Sequence, residues 1–390
     1  MIWRNSLIVL VCSLLSIALS PVSGAAMQEA RWSSLVNATW AGYKRLYIFC
    51  GEPCGNNLGL VFDPASQYEA VSEGVGYGLL MAVMMNDKQT FDVIYDAAHE
   101  VLLDDETGLF HWRADNQGNV IGRGSATDAD QDIAAALIFA QRRVDAGEWV
   151  AHATRPYGER AHELIDAIWD YSVADGRYLK PGPYFGDGQN IVNLSYFSPA
   201  WYRLYDSFQE TRRWDAVIDQ GYISLNATPG APRGLAPDWS DAEGAPAYPY
   251  CEQHGRPLEA CSYDMRYEAV RVLWRVGLDC LWYGEPRACD WISRAAAFQR
   301  QQPDFAFARM YTLDGEPVVD YHDEAMLGMW LAGAVASGDH GLAARVGNLL
   351  QGRAVNAFTG GYWGDTSYYY YNQSLAWFGA ALASGQFREL

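Results

Sequence analysis

Helical periodicity recurs along this 390-residue chain in about twelve segments, parted by loops rich in Gly, Pro, Asp and Asn, and strand-like alternation is scarce. The spacing predicts helices over roughly 28–48, 73–86, 89–103, 129–146, 158–174, 197–208, 211–226, 265–283, 287–301, 322–336, 338–352 and 371–384. Three of them, around Gly74–Met85, Ala134–Ala140 and Ala325–Ala336, are apolar on most sides, and each precedes a more polar one. A helix apolar all round is buried, whereas a polar stripe marks an outer helix. Six inner and six outer helices make an all-α (α/α)6 toroid, with a cleft at the end where the loops feeding the inner helices meet. The longest loops, roughly 104–128, 176–196, 228–262 and 353–370, are the ones expected to carry function. No Ser/Pro-rich linker interrupts residues 26–390, which read as one barrel domain.

Residues 1–25 have the layout of a secretory leader: Arg4, an apolar run from Leu7 to Leu19, then small residues around Ser23–Ala26. That run is short for a membrane span and none longer follows, so the expected protein is exported, extracellular or periplasmic, and free of the membrane once the leader is removed. Six cysteines then remain, an even number that suggests disulfides, and the short spacings favour Cys50–Cys54, Cys251–Cys261 and Cys280–Cys289. A zinc site lacks its second ligand pair. A net charge of −19 excludes an electrostatic footprint for nucleic acid or anionic membranes. With 15 Trp and 25 Tyr, the chain has more aromatic surface than a core requires, and flat rings suit the C–H faces of sugars.

Three acidic clusters precede or open inner helices. Ser72-Glu73-Gly74-Val75-Gly76-Tyr77-Gly78 puts a glutamate in a first turn, with glycines that leave the neighbouring surface bare for a ligand; the plain alternative is a carboxylate on the helix macrodipole. Thr127-Asp128-Ala129-Asp130-Gln131-Asp132 sets acids at alternate positions, where Thr127 or Asp128 is a candidate cap; the glycine and closing glutamate of a calcium loop are missing. Tyr263-Asp264-Met265-Arg266-Tyr267-Glu268 runs on to Arg271 and Arg275, so that Glu268 and both arginines share one face, as an ion-pair network or as a site. Glycoside hydrolysis needs two carboxyl groups, one protonated and one ionised. Serine-hydrolase and dinucleotide-binding motifs are missing, and no metal or other cofactor is implied.

At these clusters the sequence closely resembles glycoside hydrolase family 8, bacterial endoglucanases with some xylanases, lichenases and chitosanases. The likeness extends through Leu109-Phe110-His111-Trp112-Arg113, Phe197-Ser198-Pro199, Ala236-Pro237-Asp238-Trp239 and Tyr370-Tyr371-Asn372-Gln373-Ser374-Leu375. The resemblance implies an inverting, endo-acting hydrolase of a β-1,4-linked polysaccharide, with cellulose or mixed-linkage glucan ahead of xylan and chitosan. It implies Glu73 as proton donor, Asp128 holding the sugar at the cleavage point, and Trp112, Trp201, Tyr202, Trp239 and Tyr369 as stacking or substrate-binding residues. Arg271 is counted with the substrate-binding set, or as the partner that orients the base.

The departure is at the base, where many members carry Tyr-Asp-Ala-x-Arg and this chain reads Tyr267-Glu268-Ala269-Val270-Arg271. Glu268, one methylene longer, is the favoured base; Asp264 or another loop carboxylate is the alternative. Two other readings stay open: a catalytically impaired carbohydrate-binding protein of the same fold, and a polysaccharide lyase, which the acidity disfavours. The expected partner is a polysaccharide, bound by a monomeric chain.

Overall fold

The computed structural model describes residues 24–355, 361–364 and 367–390. Residues 1–23 of the expected leader lie outside the described residues, as do 356–360 and 365–366 of the loop expected over 353–370. In chain order the helices are α1 (Gly24–Tyr43), α2 (Ser72–Met84), α3 (Lys88–Val101), α4 (Thr127–Asp145), α5 (Tyr157–Ser172), α6 (Pro199–Gln209), α7 (Asp215–Ala227), α8 (Tyr248–Gln253), α9 (Val272–Tyr283), α10 (Pro286–Gln301), α11 (Glu324–Ala336), α12 (His340–Gly352) and α13 (Tyr370–Ala383).

Six of them close a ring. Contacts run α2 to α4, α6, α9, α11, α13 and back to α2, and the outer helices α3, α5, α7, α10, α12 and α1 pack against α2, α4, α6, α9, α11 and α13 respectively. This is the (α/α)6 barrel. The sequence pattern explains which layer each helix joins. In α3 the buried positions Phe91, Ile94, Tyr95 and Ala98 follow the i, i+3, i+4, i+7 stripe of a helix covered on one side. In α11 every residue from Glu324 to Gly333 is buried, as an inner helix requires. Asp87, Asp323 and Asp339 cap α3, α11 and α12 by accepting from Thr90, Met326 and Leu342 N–H.

The glycines of α2 act differently from the expectation. A Cβ on Gly76 would stand 2.9 Å from Cβ of Asp132, one on Gly74 would press on the Tyr370 ring, and one on Gly78 would meet Val61. All three are buried; Gly74 and Gly76 let α13 and α4 approach closely, Gly78 makes room for Val61 and the outer helix α3, and none bares a surface for ligand.

Strands are few and short among the described residues. An antiparallel sheet of β1 (Phe62–Asp63), β2 (Glu69–Val71), β3 (His111–Ala114) and β4 (Val120–Ser125) pairs in that order. Two-residue hairpins add β5 (Val173–Ala174) with β6 (Tyr178–Leu179) and β7 (Ala354–Val355) with β8 (Tyr362–Trp363). The loop expected over 228–262 holds α8 and short 3-10 turns, and its small apolar cluster includes Ile191, Tyr250, Cys251 and Cys261. The disulfides are Cys50–Cys54, Cys251–Cys261 and Cys280–Cys289. Among the described residues no helix is long and apolar enough to cross a membrane.

Candidate active site

The sheet hands the chain directly into two inner helices. β2 ends at Val71 and α2 starts at Ser72, which puts Glu73 in the first turn; β4 ends at Ser125 and α4 starts at Thr127, which puts Asp128 there. A single 3-10 turn, Ala269–Arg271, leads into α9 and carries Glu268 at its head. Helix N-termini thus bring three carboxylates from distant parts of the sequence to one end of the ring.

Arg271 joins them. Its side chain is fully buried; Nη1 donates to Glu73 Oε2 at 2.5 Å and to Asp128 Oδ2 at 2.8 Å, while Nη2 donates to Glu268 Oε2. The guanidinium also lies over the rings of Tyr196, 5.3 Å away, and Tyr371, 5.7 Å away. Of the two places the resemblance gave Arg271, in the substrate-binding set or beside the base, the buried side chain lies with the second, on Glu268 and two further carboxylates. Arg275, expected on the same face as Glu268, turns to Asp132 in a fully buried pair.

One guanidinium cannot neutralise three carboxylates, so one of them holds a proton more readily than the rest. Burial pushes Glu73 up to about 8, against the attraction of Arg271 and with help from the charges of Asp128 and Glu268. Its Oε1 accepts from Tyr370 OH at 2.7 Å. Asp128 is buried, and its Oδ1 has no hydrogen-bond partner among the described residues. Neither Thr127 nor Asp128 caps α4: the Thr127 hydroxyl donates to Lys180 O at 2.8 Å.

The alternate acids of α4 have three separate destinations. Asp128 meets Arg271, Asp130 accepts from Phe110 N and the Ser125 hydroxyl and so ties down the β3–β4 hairpin, and Asp132 meets Arg275 and Trp201. Burial pushes Asp130 up to about 7.

Asn193 escaped the sequence reading. Its Oδ1 accepts from Ser195 N and Oγ, which fixes the amide orientation and aims Nδ2 at Glu268 Oε2, 2.9 Å away. Oε2 of Glu268 is thereby held from two sides. The Asn-x-Ser spacing was visible in the sequence, but nothing there linked it to residue 268. Asp264, the alternative base, is paired with Arg266 instead and is not among the partners of Arg271.

The aromatic residues divide. Trp112, 39% exposed, lies across Gly122, whose added Cβ would stand 2.5 Å from the ring, and Arg113 backs it at 5.4 Å. Tyr369, 42% exposed, lines a cavity of about 580 Å³ with Tyr267, Tyr321, Tyr371, His322 and Arg353. Trp239 is half-buried against Phe185 and Tyr196. Trp201 and Tyr202 are a correction: both are fully buried in the wall of α6, with Trp201 Nε1 donating to Asp132 at 2.8 Å and Tyr202 stacked on Trp214. Neither can offer a face to a sugar.

Residues 18–385 match the sequence profile described as glycosyl hydrolases family 8, and the chain belongs to that family. Endoglucanase A of Acetivibrio thermocellus is 33% identical over 321 residues, covering 80% of this chain and 62% of that protein. Endoglucanase 2 of Ruminiclostridium josui is 32% identical over 323 residues, covering 81% of this chain and 65% of that protein. The chain therefore spans a little under two thirds of the length of these relatives. Rex8A from Paenibacillus barcinonensis, solved in complex with xylose, has the same fold, with a TM-score of 0.75 at 23% identity over 94% of this chain and 95% of that one.

Proposed function

We propose that this chain is an inverting, endo-acting glycosidase that cleaves a β-1,4-linked polysaccharide, with β-glucan ahead of xylan and chitosan. The observation that carries the reading is the sharing of Arg271 by Glu73, Asp128 and Glu268, with Glu73 raised to about 8. A carboxyl that keeps its proton at neutral pH is what a general acid needs, and an ionised partner nearby is what a general base needs.

In this mechanism Glu73 gives its proton to the glycosidic oxygen as the C–O bond breaks. Glu268, held through Oε2, takes a proton from water through Oε1 as that water attacks the opposite face of the sugar. Asp128 keeps an acceptor oxygen for a ring hydroxyl or for the water. Trp112 and Tyr369 are the stacking residues, and Trp239 contributes an edge. Room beyond the carboxylates, on the side of Tyr267 and Tyr369, suits a chain that continues past the cleavage point and therefore internal cutting. The names of the relatives favour glucan. The apolar stretch Leu7–Leu19 supports export to the periplasm or medium, where such a polymer is met, and a single monomeric barrel over residues 26–390 fits the closed ring.

The test uses carboxymethyl cellulose, mixed-linkage glucan, xylan and chitosan, following reducing ends and the anomer of the first products by proton NMR. The α-anomer from one β-linked polymer, with no turnover by Glu73→Gln or Glu268→Gln, is the expected result. Initial β-anomer would overturn inversion, and binding without turnover would favour the impaired binding protein.

A further inference from the structure

We propose that Asp238 is a positioning residue for the base, capping the turn that carries Glu268 from a separate segment of the chain. The inference rests on the reading of Glu268 as the base. The start of a helix leaves N–H groups without intrahelical acceptors, and the residue at the cap position ordinarily bends its side chain back to accept from them. Here that residue is Glu268, and it makes no such bond: its side chain points to Arg271 and Asn193, which share Oε2. Capping and chemistry compete for one carboxylate.

Asp238 resolves the competition. Its Oδ1 accepts from Ala269 N at 2.8 Å and from Arg266 N at 3.0 Å, gripping the turn on both sides of Glu268. The residue is 6% exposed. Its own backbone is fixed: Asp238 N–H donates to Asp264 O at 2.9 Å, Trp239 N–H to Ser262 O at 3.0 Å, and Ser240 exchanges bonds with Val192. The Tyr371 hydroxyl holds the same turn through Tyr267 O. Glu268 is thus free to point at Arg271, with its backbone tethered by a neighbour thirty positions upstream.

Burial, and then the charge of Glu268, push Asp238 up to about 7, opposed by the two backbone donors and Arg271. A protonated carboxyl still presents a carbonyl oxygen to both N–H groups, so the grip does not depend on ionisation. An asparagine should therefore replace the aspartate, whereas alanine should not.

The experiment measures kcat and KM on the polymer that the enzyme hydrolyses for Asp238→Ala, Asp238→Asn and Glu268→Gln in the full chain, with circular dichroism as the folding control. Loss of the grip lets Glu268 wander by a fraction of an ångström to an ångström, and a misplacement of that size costs on the order of a hundredfold in rate. Expected are a kcat at least about tenfold lower in Asp238→Ala with KM within about twofold, and recovery of most of that loss in Asp238→Asn. Should Asp238→Ala not fold, Asp238→Glu serves, since it keeps the acceptor but displaces it by a methylene. A loss confined to KM, a kcat close to wild type in the acceptor-less or displaced variant, or an Asp238→Asn enzyme as slow as Asp238→Ala overturns the inference while leaving Glu268 as the base. Full activity in Glu268→Gln would instead remove the base reading, and this inference with it.

Discussion

Replacing Glu73 with glutamine should stabilise the protein at neutral pH while abolishing hydrolysis. Glutamate begins at 4.5 and is raised to about 8 in the folded site. Between those values the folded chain keeps a proton that the unfolded chain has released, so wild-type stability falls as the pH rises through that window, by at most about 1.4 kcal/mol per pH unit from this group. Below pH 4.5 both states are protonated and the penalty vanishes; above 8 both are ionised and it is complete. The amide that the substitution introduces imitates the protonated acid at every pH. The difference in unfolding free energy, variant minus wild type, should therefore grow from about zero near pH 4.5 to about 3 kcal/mol at pH 7, an upper figure because the side chains around Arg271 relax. Urea unfolding followed by tryptophan fluorescence at several pH values between 4.5 and 8 measures it. A variant less stable than wild type at pH 7, or a gap that does not change with pH, would mean that Glu73 is ionised on Arg271, and the proton-donor argument would fail.

Two further outcomes follow from the aromatic residues. Trp201→Ala removes a fully buried ring and one of the two donors to Asp132 Oδ1, which keeps Arg275, so it should cost about 3–5 kcal/mol of stability, read by thermal unfolding, without a selective rise in KM. Tyr369→Ala removes an exposed ring at the cavity mouth and should raise KM for the polymer by up to about tenfold, equivalent to about 1.4 kcal/mol, with kcat nearly unchanged in initial-rate assays.

The barrel was legible because its two layers write different patterns: α3 shows a stripe and α11 shows none, and each expected helix has a counterpart. The sheet was not, because β1 and β2 have only two and three residues, the β3–β4 register shifts around Arg113, and β4, Val-Ile-Gly-Arg-Gly-Ser, carries two glycines and no apolar-polar alternation. Glu73, Asp128 and Glu268 stood out as acids at helix starts, and the structure brings them onto one arginine. What escaped were the residues that act through geometry, not composition. Asn193 matters only because Ser195 turns its amide, and Asp238 matters only because the chain folds back onto residues 266 and 269. Trp201 failed in the opposite sense: a tryptophan that stacks on sugar and one that fills a wall are the same letter, and burial alone separates them.

The closing of the ring also imposes an order in time. Glu73 is laid down early, yet the hydroxyl that binds it comes from Tyr370, 297 positions later, and α13 is the helix that meets α2 and seals the ring. A chain emerging from synthesis holds all three carboxylates well before it holds the segment that completes their surroundings. Its catalytic power should switch on only when the final helix docks. A chain cut short before residue 370 would then carry Glu73, Asp128, Glu268 and Arg271 intact and still degrade nothing.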